Sequence, residues 1–132
     1  MTTGYVTRFK GKVVAAALQV TGTLIATGGV QRTVSAGLTA TGTNAATALP
    51  LTSSRNQFST VAASTGALLP AAVVGLDVTV FNDGANPLTV YSKGTDTVDG
   101  GASATLTNTK RCTYYCLAAG AWESAQLGVA SA

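Results

Sequence analysis

Histidine is absent from the 132-residue chain, which removes the commonest general base and the commonest metal ligand together. Carboxylates are nearly as scarce: Asp77, Asp83, Asp96, Asp99 and Glu123 are the whole set. A paired-acid centre or a Ca²⁺ cage therefore has few candidate members. Two cysteines without a histidine make a poor zinc set. No G-x-x-x-x-G-K-[ST] stretch exists to cradle a phosphate, and no base is placed to activate a serine. This inventory predicts a chain that is not an enzyme and that carries no cofactor and no metal.

Charge is in short supply too. Charged residues make up 10% of the chain, against roughly 25% in an ordinary soluble domain. A free monomer normally keeps itself soluble with mixed surface charge. A surface of Ala, Thr, Ser and Gly instead suits burial against other protein, where charged residues are depleted. An exposed Thr-rich sheet is the plainer alternative, and the reading favours an assembled state.

The few charges are also unevenly placed. From Met1 to Leu76 stand Arg8, Lys10, Lys12, Arg32 and Arg55 with no acid, whereas all five acids follow with Lys93, Lys110 and Arg111. The two halves suit oppositely charged partners. Nucleic acid is not expected among them, because the five early cations are widely spread and few aromatics stand beside them for stacking. Arg8, Lys10 and Lys12 precede VVAAALQVTGTLIAT, which superficially resembles a targeting signal. Gln19, Thr21, Gly22 and Thr23 interrupt that run, leaving it short of the ~18 apolar residues of a membrane helix. A structural arm is expected there, with no membrane association.

What the chain does have is a recurring run of four to eight residues rich in Val, Thr, Leu and Tyr, closed by Gly, Asn, Asp or Pro. Strands are predicted over 12–20, 30–36, 45–51, 55–61, 76–82, 87–92, 103–108, 111–118 and 121–126. In LDVTVFNDGANPLTVYS (76–92), Leu76, Val78 and Val80 alternate with Asp77, Thr79 and Phe81. Asn82-Asp83-Gly84 then reads as a tight hairpin turn that tolerates positive φ, with Pro87 opening the return strand. Asp99-Gly100-Gly101 reads as the next reversal. No exact internal repeat is visible. The pattern predicts an all-β fold, an antiparallel β-sandwich or jelly-roll-like domain over 41–132 preceded by an extended arm over 1–40.

Three stretches carry a family resemblance: ATALPLTSSRNQFSTV, GALLPAAVVGLDVTVFNDGANPLTVYSKGTDTVDGG and CLAAGAW. They resemble a small β domain that recurs in structural proteins of tailed bacteriophages, including head-decoration proteins, head-fibre proteins and tail-fibre modules. The matching elements are Leu69-Pro70 with the alanines after it, the VTVFNDGANPLTVY segment, the Asp96…Gly100-Gly101 turn and Cys116…Gly120-Ala121-Trp122. The likeness spans about residues 45–125 and leaves the N-terminal arm outside it. It implies a virion structural protein, assembled in the host cytoplasm, that binds and stabilises the phage head as a capsid decoration (cement) homotrimer. Its implied partners are itself and the major capsid protein or another virion protein. The alternative is a tail or neck fibre module that binds a host surface glycan or a neighbouring virion protein.

Candidate residues for these roles are few. Arg8, Lys10 and Lys12 are the candidate capsid-docking arm. Cys112 and Cys116 on one strand point to the same face about 13 Å apart at ~3.3 Å per residue, too far for a mutual disulfide. They are either buried thiols or interchain crosslinkers formed outside the reducing cytoplasm; Cys112 is the better crosslinker, since the resemblance places Cys116 toward the core. Trp122 is a core residue or an interface anchor. Lys110-Arg111 with Asp96 and Asp99 reads as solvated turn residues before it reads as a carbohydrate or receptor site.

Overall fold

The computed structural model describes Gly11, Ala16, Ala17 and residues 19–127. Two compact units are distinguished, Met1–Val30 and Gln31–Ala132. In the first, the described residues form no strand and no helix. Arg8, Lys10, Lys12 and most of the strand predicted over 12–20 lie outside the described residues; within it, Ala16, Ala17, Gln19 and Val20 are not in a strand.

Among the described residues of the second unit, strands are the regular elements and no helix occurs, as the alternating pattern predicts. They are β1 (Val34–Thr39), β2 (Leu49–Pro50), β3 (Arg55–Thr60), β4 (Gly66–Leu68), β5 (Asp77–Asn82), β6 (Leu88–Tyr91), β7 (Thr97–Val98), β8 (Ser103–Leu106), β9 (Lys110–Ala118) and β10 (Ala121–Leu127). Val34–Thr39, which the composition reading placed within the arm, is thus the first strand of this unit. β4 and β7 are additions to the predicted set.

How the strands pair is the surprise. The sheets run β1-β3-β5-β9-β10-β7 and β2-β4-β6-β8. Successive strands from β1 to β6 therefore alternate between the two layers. Within each layer, β1, β3 and β5 are parallel neighbours, and so are β2, β4 and β6. This is a solenoid-like coil of three turns. Val34 pairs with Arg55 and Arg55 with Thr79, setting successive turns 21 and 24 residues apart. The C-terminal strands then cover the growing end in the antiparallel sense, β9 on β5 and β8 on β6. The sheets are mixed, which corrects the antiparallel expectation.

The correction is sharpest at 76–92. Both flanks of β5 are occupied, by β3 and by β9, so the return strand β6 cannot pair with it and joins the other layer. Asn82-Asp83-Gly84 is a corner between layers, and none of the three adopts positive φ. Asn82 defines that corner: its Nδ2 donates to the carbonyls of Asn86 and Leu106, and its Oδ1 accepts from the Gly84 N–H, each at 3.0 Å. The next predicted reversal does form. Asp99 (φ 51) and Gly100 (φ 77) link Val98 to Gly101, the paired positive φ values of a tight two-residue turn.

One core lies between the layers. Phe58, Val78, Val80, Cys112, Tyr114, Cys116 and Trp122 come from the larger sheet, and Ala67, Leu88, Val90 and Leu106 from the smaller. Two Leu-Pro steps, Leu49-Pro50 and Leu69-Pro70, lie at the ends of β2 and β4, offset by two residues in the stacking, since Pro50 pairs with Leu68. Leu51 N–H donates to the Leu68 carbonyl and Leu69 N–H to that of Tyr91, stacking two buried leucines. Pro50 and Pro70 sit beside them, where a missing N–H is tolerated.

Candidate functional site

β9 alternates except at Thr113, which lies on the outward side yet is buried, its hydroxyl 3.0 Å from that of Thr79. Cys112, Tyr114 and Cys116 are buried, so Tyr115 and Leu117 face outward, exposed by 43% and 70%. The segment between β4 and β5 is laced to this strand. Gly75 N–H donates to the Cys116 carbonyl and Cys116 N–H donates to that of Leu76, both at 2.9 Å. A turn closed by Leu76 N–H on the Val73 carbonyl, with Gly75 at φ +90, presents Val73 and Val74 to solvent. Val73, Val74, Tyr115 and Leu117 thus form an exposed apolar patch along two laced backbone segments, while Leu76, opposite Cys116, shares the inward parity of Val78 and Val80. Charge stands at its margin: Tyr115 pairs across the sheet with Asp77 and Glu123, and Arg32 Nη1 holds Asp77 at 3.1 Å. An apolar patch with a polar rim is the usual mark of a contact surface.

The residues singled out from sequence lie elsewhere. Both cysteines are free and buried, each 1% exposed. Of the two readings left open, buried thiols or interchain crosslinkers, the buried thiol fits: both side chains lie on the inner face of β9 in the core. Even Cys112, the better crosslinker of the two, could reach another chain only if the layers opened, and the interchain bond is set aside on that ground. Desolvation pushes the Cys112 thiol above its ordinary range, partly offset by hydrogen bonding to Tyr114 and Ser124. A raised pKa in an apolar site makes a thiol inert.

Trp122 is equally buried and packs in the shared core, and its Nε1 has no acceptor among the described residues. Asp96 accepts from the Ala72 N–H at 2.8 Å. Asp99 accepts from the Ser124 N–H and hydroxyl at 2.8 and 2.6 Å. Arg111 lies 5.4 Å over the Phe81 ring. These groups pin turns and strands to one another and do not converge on a common site.

The patch itself was legible only in part. Strand alternation around Cys116 implies that Tyr115 and Leu117 point outward, but nothing local tells a reader that Val73 and Val74 join them. That proximity comes from the coil, which brings the 73–76 turn alongside a strand forty residues downstream (Leu76 beside Cys116). No family model matches the chain, and neither a curated protein nor a solved structure matches it significantly.

Proposed function

We propose that this chain is a structural protein of a tailed-phage virion, a head-decoration module that works by assembly and not by catalysis. The observation that carries the reading is the apolar patch of Val73, Val74, Tyr115 and Leu117 on a chain whose charged content is only 10%. Such a surface gains free energy from burial and faces little charge repulsion on approach. In this reading the two-layer body is the rigid sandwich-like domain that the resemblance implies. The patch joins copies into a trimer, and the trimer binds the capsid shell. Binding to the assembled shell stabilises it by mass action, and three linked copies raise avidity without new kinds of contact.

Sedimentation of the full chain over a range of concentrations tests this. A trimer is expected at micromolar concentration, and Leu117→Asp should convert it to a monomer with an unchanged circular dichroism spectrum. A wild-type chain that stays monomeric, and that is absent from purified phage particles, would sink the proposal.

A further inference from the structure

Each sheet has two edges, and three of these four are guarded among the described residues. β2 is two residues long and ends on Pro50, which has no N–H to offer. β7 is as short, and just past its end the Asp99 carboxylate takes the Ser124 N–H of β10 at 2.8 Å. At β8 the Gln126 side-chain amide donates to the Thr105 carbonyl at 3.5 Å. β1 differs: it is six residues long, VSAGLT, with no charge and no proline. Natural edges use charge and proline to refuse another strand.

The open groups on β1 can be named. Arg55 N–H donates to the Thr33 carbonyl, and Ser35 follows in register against Asn56. Thr33 and Ser35 thus turn their backbone toward β3, and strand alternation turns that of Val34 and Ala36 to the open side. Past them the ladder breaks. Gly37, at φ 71, gives its N–H to Gln57 Oε1 at 2.7 Å, and the register shifts between Ser35 and Leu38. The free stretch is therefore Val34 to Ala36, short and neutral, with Val34 exposed by 64%.

We infer that this edge is a contact between two copies of the chain, β1 against β1, antiparallel about a twofold axis at Ser35. Two observations choose the occupant and its direction. Head-to-tail stacking needs a second open edge on the same molecule; the other three are guarded, so β1 finds its match only in another β1. Charge sets the direction. Arg32 stands two residues before β1. Parallel pairing in register would set it about 5 Å from its copy, whereas antiparallel pairing about Ser35 holds the two about 20 Å apart. Backbone bonds between Val34 of one copy and Ala36 of the other then satisfy the open groups, and the two larger sheets run on as one. So short a contact buries less than a standard interface and is weak alone. Presented three times on a trimer it gains by avidity and joins trimers side by side. The edge shares no residue with the apolar patch, and the contact does not rest on the assembly reading.

The test uses the isotope-labelled full-length Leu117→Asp chain, whose patch is disabled, followed by sedimentation and amide signals from about 20 µM to about 2 mM. Monomer at the low end should give way to dimer at the high end. The Val34 and Ala36 amides should shift, and gain protection from hydrogen exchange, only as the dimer forms. Ala36→Pro removes one open N–H at an edge position that tolerates the loss, and should weaken pairing at least tenfold. Ala36→Lys keeps the N–H, adds a charge, and should weaken pairing as well. The inference is overturned if the Leu117→Asp chain stays monomeric throughout, or if a dimer forms while Val34 and Ala36 exchange as in the monomer. It is also overturned if both Ala36 variants pair as well as their parent, or if both amides are already protected at the lowest concentration, since the edge is then covered within one chain. A wild-type chain that forms no trimer, beside a Leu117→Asp chain that pairs through β1, would sink the assembly reading and support this one.

Discussion

Replacing Asn82 by alanine tests the idea that one buried side chain holds the corner between layers. Asn82 is 0% exposed, and its three hydrogen bonds, all at 3.0 Å, tie the 82–86 corner to the end of β8. A typical intramolecular hydrogen bond contributes roughly 0.5–1.5 kcal/mol net, and a buried group left unpaired costs about 1–3 kcal/mol. Asn82→Ala removes three bonds and strands one N–H and two carbonyls, so a loss of about 3–5 kcal/mol is expected. That is a large part of the roughly 5–15 kcal/mol that holds a domain of this size. Urea unfolding followed by Trp122 fluorescence measures it; with a slope of roughly 1–3 kcal/mol per molar, the midpoint should fall by about 2 M.

Asn44 provides the control. Its side-chain oxygen accepts from Ala46 N–H, Thr47 N–H and the Thr47 hydroxyl, at 3.0, 3.1 and 3.1 Å, but in an exposed turn. Water replaces those bonds, so Asn44→Ala should cost about 1 kcal/mol, in the manner of a lost cap. If Asn44→Ala costs as much as Asn82→Ala, burial is not what gives the corner its value and the reasoning is wrong.

Alkaline pH should destabilise the fold through two buried groups: desolvation pushes Cys112 above its ordinary 9.0 and Tyr114 above its ordinary 10.0. Both ionise first in the unfolded chain, so urea midpoints should hold below about pH 9 and fall as pH rises beyond it, and Cys112→Ala or Tyr114→Phe should flatten that fall. Gly66→Ala should cost about 1–3 kcal/mol by thermal unfolding, because its Cβ would sit 2.6 Å from Tyr91 Cε2 and 2.7 Å from the Thr89 carbonyl, the latter being backbone that cannot swing aside.

Strand positions were readable from residues because alternation and turn chemistry are local. The segments at 55–61, 76–82, 87–92, 103–108, 111–118 and 121–126 all contain strands within a residue or two of their predicted ends. Pairing is not local, and there the reading failed. Asn-Asp-Gly between two alternating runs suits a hairpin as well as a corner, and what decides between them is that β3 and β9 already flank β5.

A faint signal of the coil was present. A Leu-Pro step recurs twenty positions apart, at Leu49-Pro50 and Leu69-Pro70, near the spacing of the turns though out of register with them, since Leu49 pairs with Ala67. Small common residues made that repeat easy to pass over. The two cysteines show a related limit. Their spacing excluded a mutual bond, yet only the packing of the inner face of β9 into the core between the layers shows that neither is free to meet another chain.

The order in which the strands are joined bears on how the chain is made. Synthesis runs from the N-terminus, so the three turns can wind as they emerge, each laid on the last. Their growing edge then waits. β5 lacks its second neighbour until β9 begins at Lys110, 28 positions after Asn82, and β6 lacks its own until β8. During that interval the nascent chain exposes unpaired backbone of the kind that recruits a strand from another molecule. A ribosome that stalls near residue 100 would release a coil with a permanently open end, prone to stack on its own kind. The last third of the chain therefore acts as a seal, and the burden of its late arrival falls on folding yield in the crowded cell, not on the stability of the finished protein.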